Sequence, residues 1–112
     1  MKLALTFPAR FLPFLVPKGG TPDSTWVVCQ ADSLTDAWHP FLPLSTREAA
    51  ASQGERMART LSAKGIYHLN WWHADSDGGP GLELYALLDD GTKHRCGLAI
   101  VPLALLADAD SR

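Results

Sequence analysis

The sequence predicts an α+β fold: a small antiparallel sheet of three to five strands with one main helix packed on one face. Three observations lead there. Residues 46–64 carry small and apolar side chains at helical spacing. After Gly65 the period changes from 3.6 to 2. Asp89-Asp90-Gly91 then separates two alternating runs in the way a hairpin loop does.

Taken in order, Lys2 to Thr6 reads as a short strand. Pro8, Pro13, Pro17, Gly19, Gly20 and Pro22 then punctuate the chain too often for a long helix or a central strand. Trp26 to Gln30 is rich in β-forming residues and is predicted as a strand. Residues 31–44 hold Asp32, Ser33, Asp36, Pro40 and Pro43, which predicts loop with one turn of helix between Leu34 and Trp38. The main helix is predicted from Thr46 to Lys64. Ser45 and Glu48 have capping-box spacing, with Ser45 as the capping hydroxyl, and Gly65 stands where a left-handed residue ends a helix. Ala50, Gly54, Met57, Ala58 and Leu61 share one side. Gly54 costs about 1 kcal/mol of helix propensity, which close approach to a large neighbouring side chain would offset.

In the alternating segment, Tyr67, Leu69 and Trp71 point one way, and Ile66, His68, Asn70 and Trp72 the other. Strands follow at about Leu82 to Leu88 and Thr92 to Val101. A three-residue Asp89-Asp90-Gly91 loop puts Leu82, Leu84, Ala86 and Leu88 on one face with Cys96, Leu98 and Ile100. Glu83, Tyr85 and Leu87 then join Lys93 and Arg95 on the other. A two-residue turn would mix leucines with charges, so the longer loop is predicted, with Gly91 left-handed. Pro102 closes the last strand, Leu103 to Leu106 forms a short helix or edge segment, and Asp108 to Arg112 is expected to fray.

With 112 residues the chain suits one domain over 1–112: a proline-rich, irregular part with short strands to residue 44, and a patterned part over 45–107. Hydrophobic residues at 46% and charged residues at 20% suffice for a core. A formal net charge of −2 argues against a surface built mainly to hold a nucleic-acid backbone. Cys29 and Cys96 form no CxxC pair and are expected to be free thiols. Pro8, Arg10 and Pro13 interrupt the apolar start, which argues against a cleaved leader. No run reaches the ~20 apolar residues of a membrane span. A cytoplasmic protein without membrane contact is the resulting expectation.

Motifs for chemistry are weak. His94 and Cys96 share a face, and Cys29 or His39 would be needed beside them, but no ligand spacing points to zinc. Asp75-x-Asp77-Gly-Gly lacks the further oxygen ligands of a calcium loop. There is no nucleophile elbow, and Gly78-Gly79-Pro80-Gly81 precedes a strand rather than a helix N-terminus. Neither a metal, a cofactor nor an enzyme activity is expected.

The second face of the sheet carries the functional reading. His68, Trp72, Tyr85, Lys93 and Arg95 are the candidate partner-binding residues. Trp, Tyr and Arg are the residues enriched at protein hot spots, so the expectation is a small binding or regulatory protein that meets a protein partner or a second copy of itself. The same aromatic and basic set suits an accessory module that stacks single-stranded nucleic acid, the alternative reading, with a small enzyme third. A further possibility is that the N-terminal segment covers this face and Trp72 is core.

Overall fold

The computed structural model describes residues 2–5, 9–61, 68–75 and 79–110. Five strands form an antiparallel sheet: β1 (Trp26–Ala31), β2 (Trp38–Leu44), β3 (His68–His73), β4 (Leu82–Leu87) and β5 (Lys93–Pro102), in spatial order β2-β1-β5-β4-β3. The main helix, α1 (Arg47–Leu61), packs on one face. A 3₁₀ segment (Ala9–Leu15) and a second helix, α2 (Leu103–Asp110), lie toward the other. The architecture is the α+β class expected from the change of period. Among the described residues no helix is long and apolar enough to cross a membrane.

β1 and β5 sit at the centre because their side chains find apolar cover on both sides. Val28, Leu98 and Ile100 point to α1, where they meet Ala50 and Leu84. Val27, Cys29, Ala99 and Val101 point the other way, onto Leu12, Trp38, Leu103 and Leu106. Valine and isoleucine suit such strands, being stiff at χ1 and shaped for a pleated surface. The helix approaches the sheet closely through its small residues. A Cβ built at Gly54 would lie 2.9 Å from Trp71 Cη2, so the indole of β3 occupies the space a side chain would need. That contact is the compensation expected for a glycine inside a helix.

Three expectations need correction. Residues 38–44, predicted as loop, form β2, which pairs with β1 from Trp26↔Leu44 to Ala31↔Trp38. Its prolines are tolerated because β2 is an edge strand, so only one side of its backbone meets a neighbouring strand. Phe41 is the extra residue of a bulge between the Val28↔Leu42 and Cys29↔Pro40 pairs. Lys2 to Leu5 do not form a named strand, and Thr6 lies outside the described residues; Leu3 makes an isolated parallel bridge to Trp38, with Ala4 donating to the Trp38 carbonyl at 2.9 Å. The helix is capped by Thr46, not Ser45: the Ala49 amide donates to Thr46 Oγ1 at 3.1 Å. Ser45 is spent on the turn out of β2, where its Cβ lies against Gly20. The expected helical residues 62–64, and Ile66 and Tyr67 of the alternating segment, lie outside the described residues. So do Ser111 and Arg112, whereas Asp108 belongs to α2.

The β4–β5 hairpin has the three-residue loop. Leu87 pairs with Lys93, Gly91 has φ +85°, and the Gly91 amide donates to the Leu88 carbonyl at 3.0 Å. Farther along, one β4 residue, Leu84, faces three of β5, Cys96 to Leu98, between the Tyr85↔Arg95 and Glu83↔Ala99 pairs. Gly97 takes φ +75° in this bulge. The insertion is even, so the faces on either side stay in phase. Leu84 and Leu98 are accordingly buried, and Lys93 and Arg95 exposed.

Candidate functional site

The face opposite α1 divides into two halves. The 3₁₀ segment, α2 and the start of the chain cover it over β1, β2 and the second half of β5. They do not extend over β3, β4 and the first half of β5, where His68, Asn70, Trp72 and Lys93 are exposed and Tyr85 is half-buried. The N-terminal cover considered from the sequence therefore exists, but over the other half.

The strand pairs put three rows on the open half. His68, Leu87 and Lys93 form one, Asn70, Tyr85 and Arg95 the next, and Trp72 and Glu83 the third. The ring centroids of Trp72 and Tyr85 are 5.4 Å apart, edge to face at 85°. Lys93 Nζ lies 4.7 Å from the Trp72 ring centre and 4.6 Å from that of Tyr85. A cation over two ring faces is attracted by both quadrupoles, which fixes the rings and the lysine stem as one unit. Four of the five sequence candidates thus meet: Trp72, Tyr85 and Lys93 directly, and Arg95 beside them. His68 is on the same face, at the far end from Trp72.

Two residues outside the candidate set complete the site. Glu83 is buried, its side chain only 6% exposed, and accepts from Arg95 Nε at 2.5 Å. The Arg95 guanidinium also lies 5.8 Å from the Trp38 ring centre, so it spans the seam between the covered and open halves. Its pKa is raised, chiefly by the bond to Glu83. The Tyr85 hydroxyl is also raised, first by burial and then by the Glu83 charge. Glu83 was legible as a neighbour of Arg95 on the alternating face; Trp38 was not, because its strand was read as loop.

The rest of the surface supplies little chemistry. Cys29 and Cys96 are free thiols. Burial pushes Cys29 up to about 12, and burial followed by the Glu83 charge raises Cys96, so neither is an activated nucleophile. Among the described residues, no three His, Cys, Asp or Glu side chains gather into a metal-holding group. The Leu34 amide, followed by His39 at 3.2 Å, holds the Asp32 carboxyl below its usual range. An open groove of about 220 Å³ lies between the 3₁₀ segment and α2, lined by Leu12, Pro13, Pro22, Asp23, Leu103 and Ala104. It falls short of the roughly 300–1,000 Å³ of ligand pockets and offers one polar side chain. No protein-family model, no curated protein and no solved structure matches this chain.

Proposed function

We propose that the chain is a small non-enzymatic binding or regulatory protein that works through a protein interface on the open half of its sheet. The supporting observation is the preassembled cluster of Trp72, Tyr85 and Lys93 on a face that the described elements leave uncovered. Rigid aromatic anchors with a cationic neighbour form hot spots at low entropic cost, because their rotamers are already fixed. The alternative, stacking of single-stranded nucleic acid, is disfavoured by two details. Lys93 occupies one side of both rings, and the neighbouring cation, Arg95, is already paired with Glu83. A face with so few available cations neutralises little phosphate.

The test uses Trp72→Ala combined with Lys93→Glu. Arg95→Ala is a poorer probe, since it strands the buried Glu83 carboxylate and perturbs the fold itself. Immobilised wild-type chain should retain a specific protein that the double variant loses while melting at a similar temperature. Equal retention by a folded variant would sink the reading. Tight binding of a single-stranded oligonucleotide that falls steeply with salt would favour the alternative.

A further inference from the structure

The rows of the open half carry three side chains that are fully charged at neutral pH: Glu83, Lys93 and Arg95. Glu83 is buried, and Arg95 Nε donates to it at 2.5 Å. Nε is the guanidinium nitrogen nearest the main chain. The bond therefore anchors the group and leaves its two terminal nitrogens as donors on an exposed side chain. Lys93 stands two residues away on the same face, about 7 Å along β5. Its ammonium is held 4.7 and 4.6 Å from the ring centres of Trp72 and Tyr85. Asp89 and Asp90 lie in the adjacent loop, yet among the described residues no carboxylate pairs with Lys93, and Asp90 accepts from the Thr92 amide instead. Two exposed cations are thus fixed in place, one by a buried carboxylate and one by two rings.

We propose that Lys93 and the terminal nitrogens of Arg95 form a carboxylate-binding site, filled by a glutamate or aspartate side chain of the protein partner, with an apolar neighbour of that residue seated against Trp72 and Tyr85. This rests on the interface proposed above and names the chemistry of its partner. Charge selects the ligand. Two cations against the single charge of Glu83 leave one positive charge on the site, which one carboxylate balances. A phosphate monoester carries about −1.5 to −2 at neutral pH, so part of its charge would stand uncompensated beside Glu83. Asp36, an exposed carboxylate within electrostatic reach of Arg95, adds to that penalty. Geometry selects the same ligand. The terminal N–H groups of a guanidinium match the two oxygens of a carboxylate as a fork, and Lys93 supplies a second donor to the side. The Trp38 ring, 5.8 Å from the guanidinium, and the Trp72–Tyr85 pair keep both cations in position before a partner arrives, which lowers the ordering cost of binding.

The test follows the isotope-labelled whole chain by nuclear magnetic resonance while end-blocked peptides are added, each to about 10 mM. The probes are leucine–glutamate–leucine and its glutamine and phosphoserine counterparts. The glutamate peptide should move the Arg95 Nε–H and Lys93 signals and saturate, binding at least about tenfold more tightly than the glutamine peptide. Lys93→Met keeps an apolar stem over the rings and removes the net charge of the site. It should melt as the wild type does and cut the preference for glutamate severalfold. Equal affinity for glutamate and glutamine peptides, tighter binding of the phosphoserine peptide, or a preference unchanged in Lys93→Met overturns the carboxylate site. So does a titration in which no peptide moves Lys93 and Arg95. Glutamate and glutamine peptides that shift the Trp72 indole signal equally overturn the carboxylate site but leave the proposed interface standing on its apolar contact. Trp72 and Tyr85 signals that answer to a single-stranded oligonucleotide and to none of the peptides remove both.

Discussion

Gly54 and Trp71 form a pair whose meaning depends on both members. Helix propensity favours alanine over glycine by about 1 kcal/mol. A Cβ at Gly54 would press on Trp71 Cη2 at 2.9 Å, and overpacking costs roughly 1–3 kcal/mol. Sterics should therefore win. Gly54→Ala is expected to lower unfolding free energy by about 1 kcal/mol in denaturant titration. In a Trp71→Leu background the same change should stabilise by up to about 1 kcal/mol, because the obstacle is gone. A stabilising effect in the wild type would mean that the indole moves aside freely. Glu83 poses the opposite problem. A buried carboxylate on a sheet face needs a partner, and Arg95 supplies it while remaining 59% exposed. The pair places a charge-assisted bond at the seam between core and candidate interface, and explains why Arg95 is tied to the fold as well as to the surface.

Among the elements, α1 shows how a helix start is decided by what precedes it. Leu44 must reach its pairing position opposite Trp26, which leaves Ser45 to turn the chain and Thr46 to accept from the first free amides. Thr46→Ala should cost roughly 0.5–2 kcal/mol, the usual worth of a lost N-cap. Ser45→Ala should stay within about 0.5 kcal/mol, as a surface change away from a cap. Chemical denaturation of the two variants side by side checks the assignment; a larger loss at Ser45 would reinstate the Ser45–Glu48 capping box. β2 is the complementary case. Its prolines would disrupt a central strand, yet at the edge they protect the sheet from further pairing.

At the scale of the molecule, two apolar clusters lie on opposite sides of the sheet and share β1 and β5. One holds Val28, Leu98 and Ile100 under α1; the other holds Val27, Cys29, Ala99 and Val101 under the 3₁₀ segment and α2. Opening either central strand exposes both clusters at once, so their amides should exchange only through near-global unfolding. Hydrogen exchange at a concentration where the chain is monomeric should find β1 and the second half of β5 slowest, with β2 and β3 faster by an order of magnitude or more. Amides of β3 as slow as those of β5 under those conditions would contradict a β3 that the described elements cover on the α1 side alone.

What the sequence by itself determined is what local periodicity and chirality control. The alternation of residues 68–73 and 82–87 set which side chains share a face, because successive residues of a strand must point opposite ways. The Asp89-Asp90-Gly91 loop set the hairpin register, because one slip would have mixed leucines with charges, and the even bulge at Gly97 left that phase intact. Four of the five candidate residues of the open face came together for this reason. Tertiary structure decided what depends on a residue's neighbours across the fold. Pro40 and Pro43 signal loop in any local reading, and only an edge position makes a strand of them. Trp38 joined the site through that strand, and the cap moved from Ser45 to Thr46 because β2 needed Leu44 first. The half-covered face was likewise undetermined, since cover depends on where an irregular segment docks, and docking follows apolar surface that exists only once the sheet has formed.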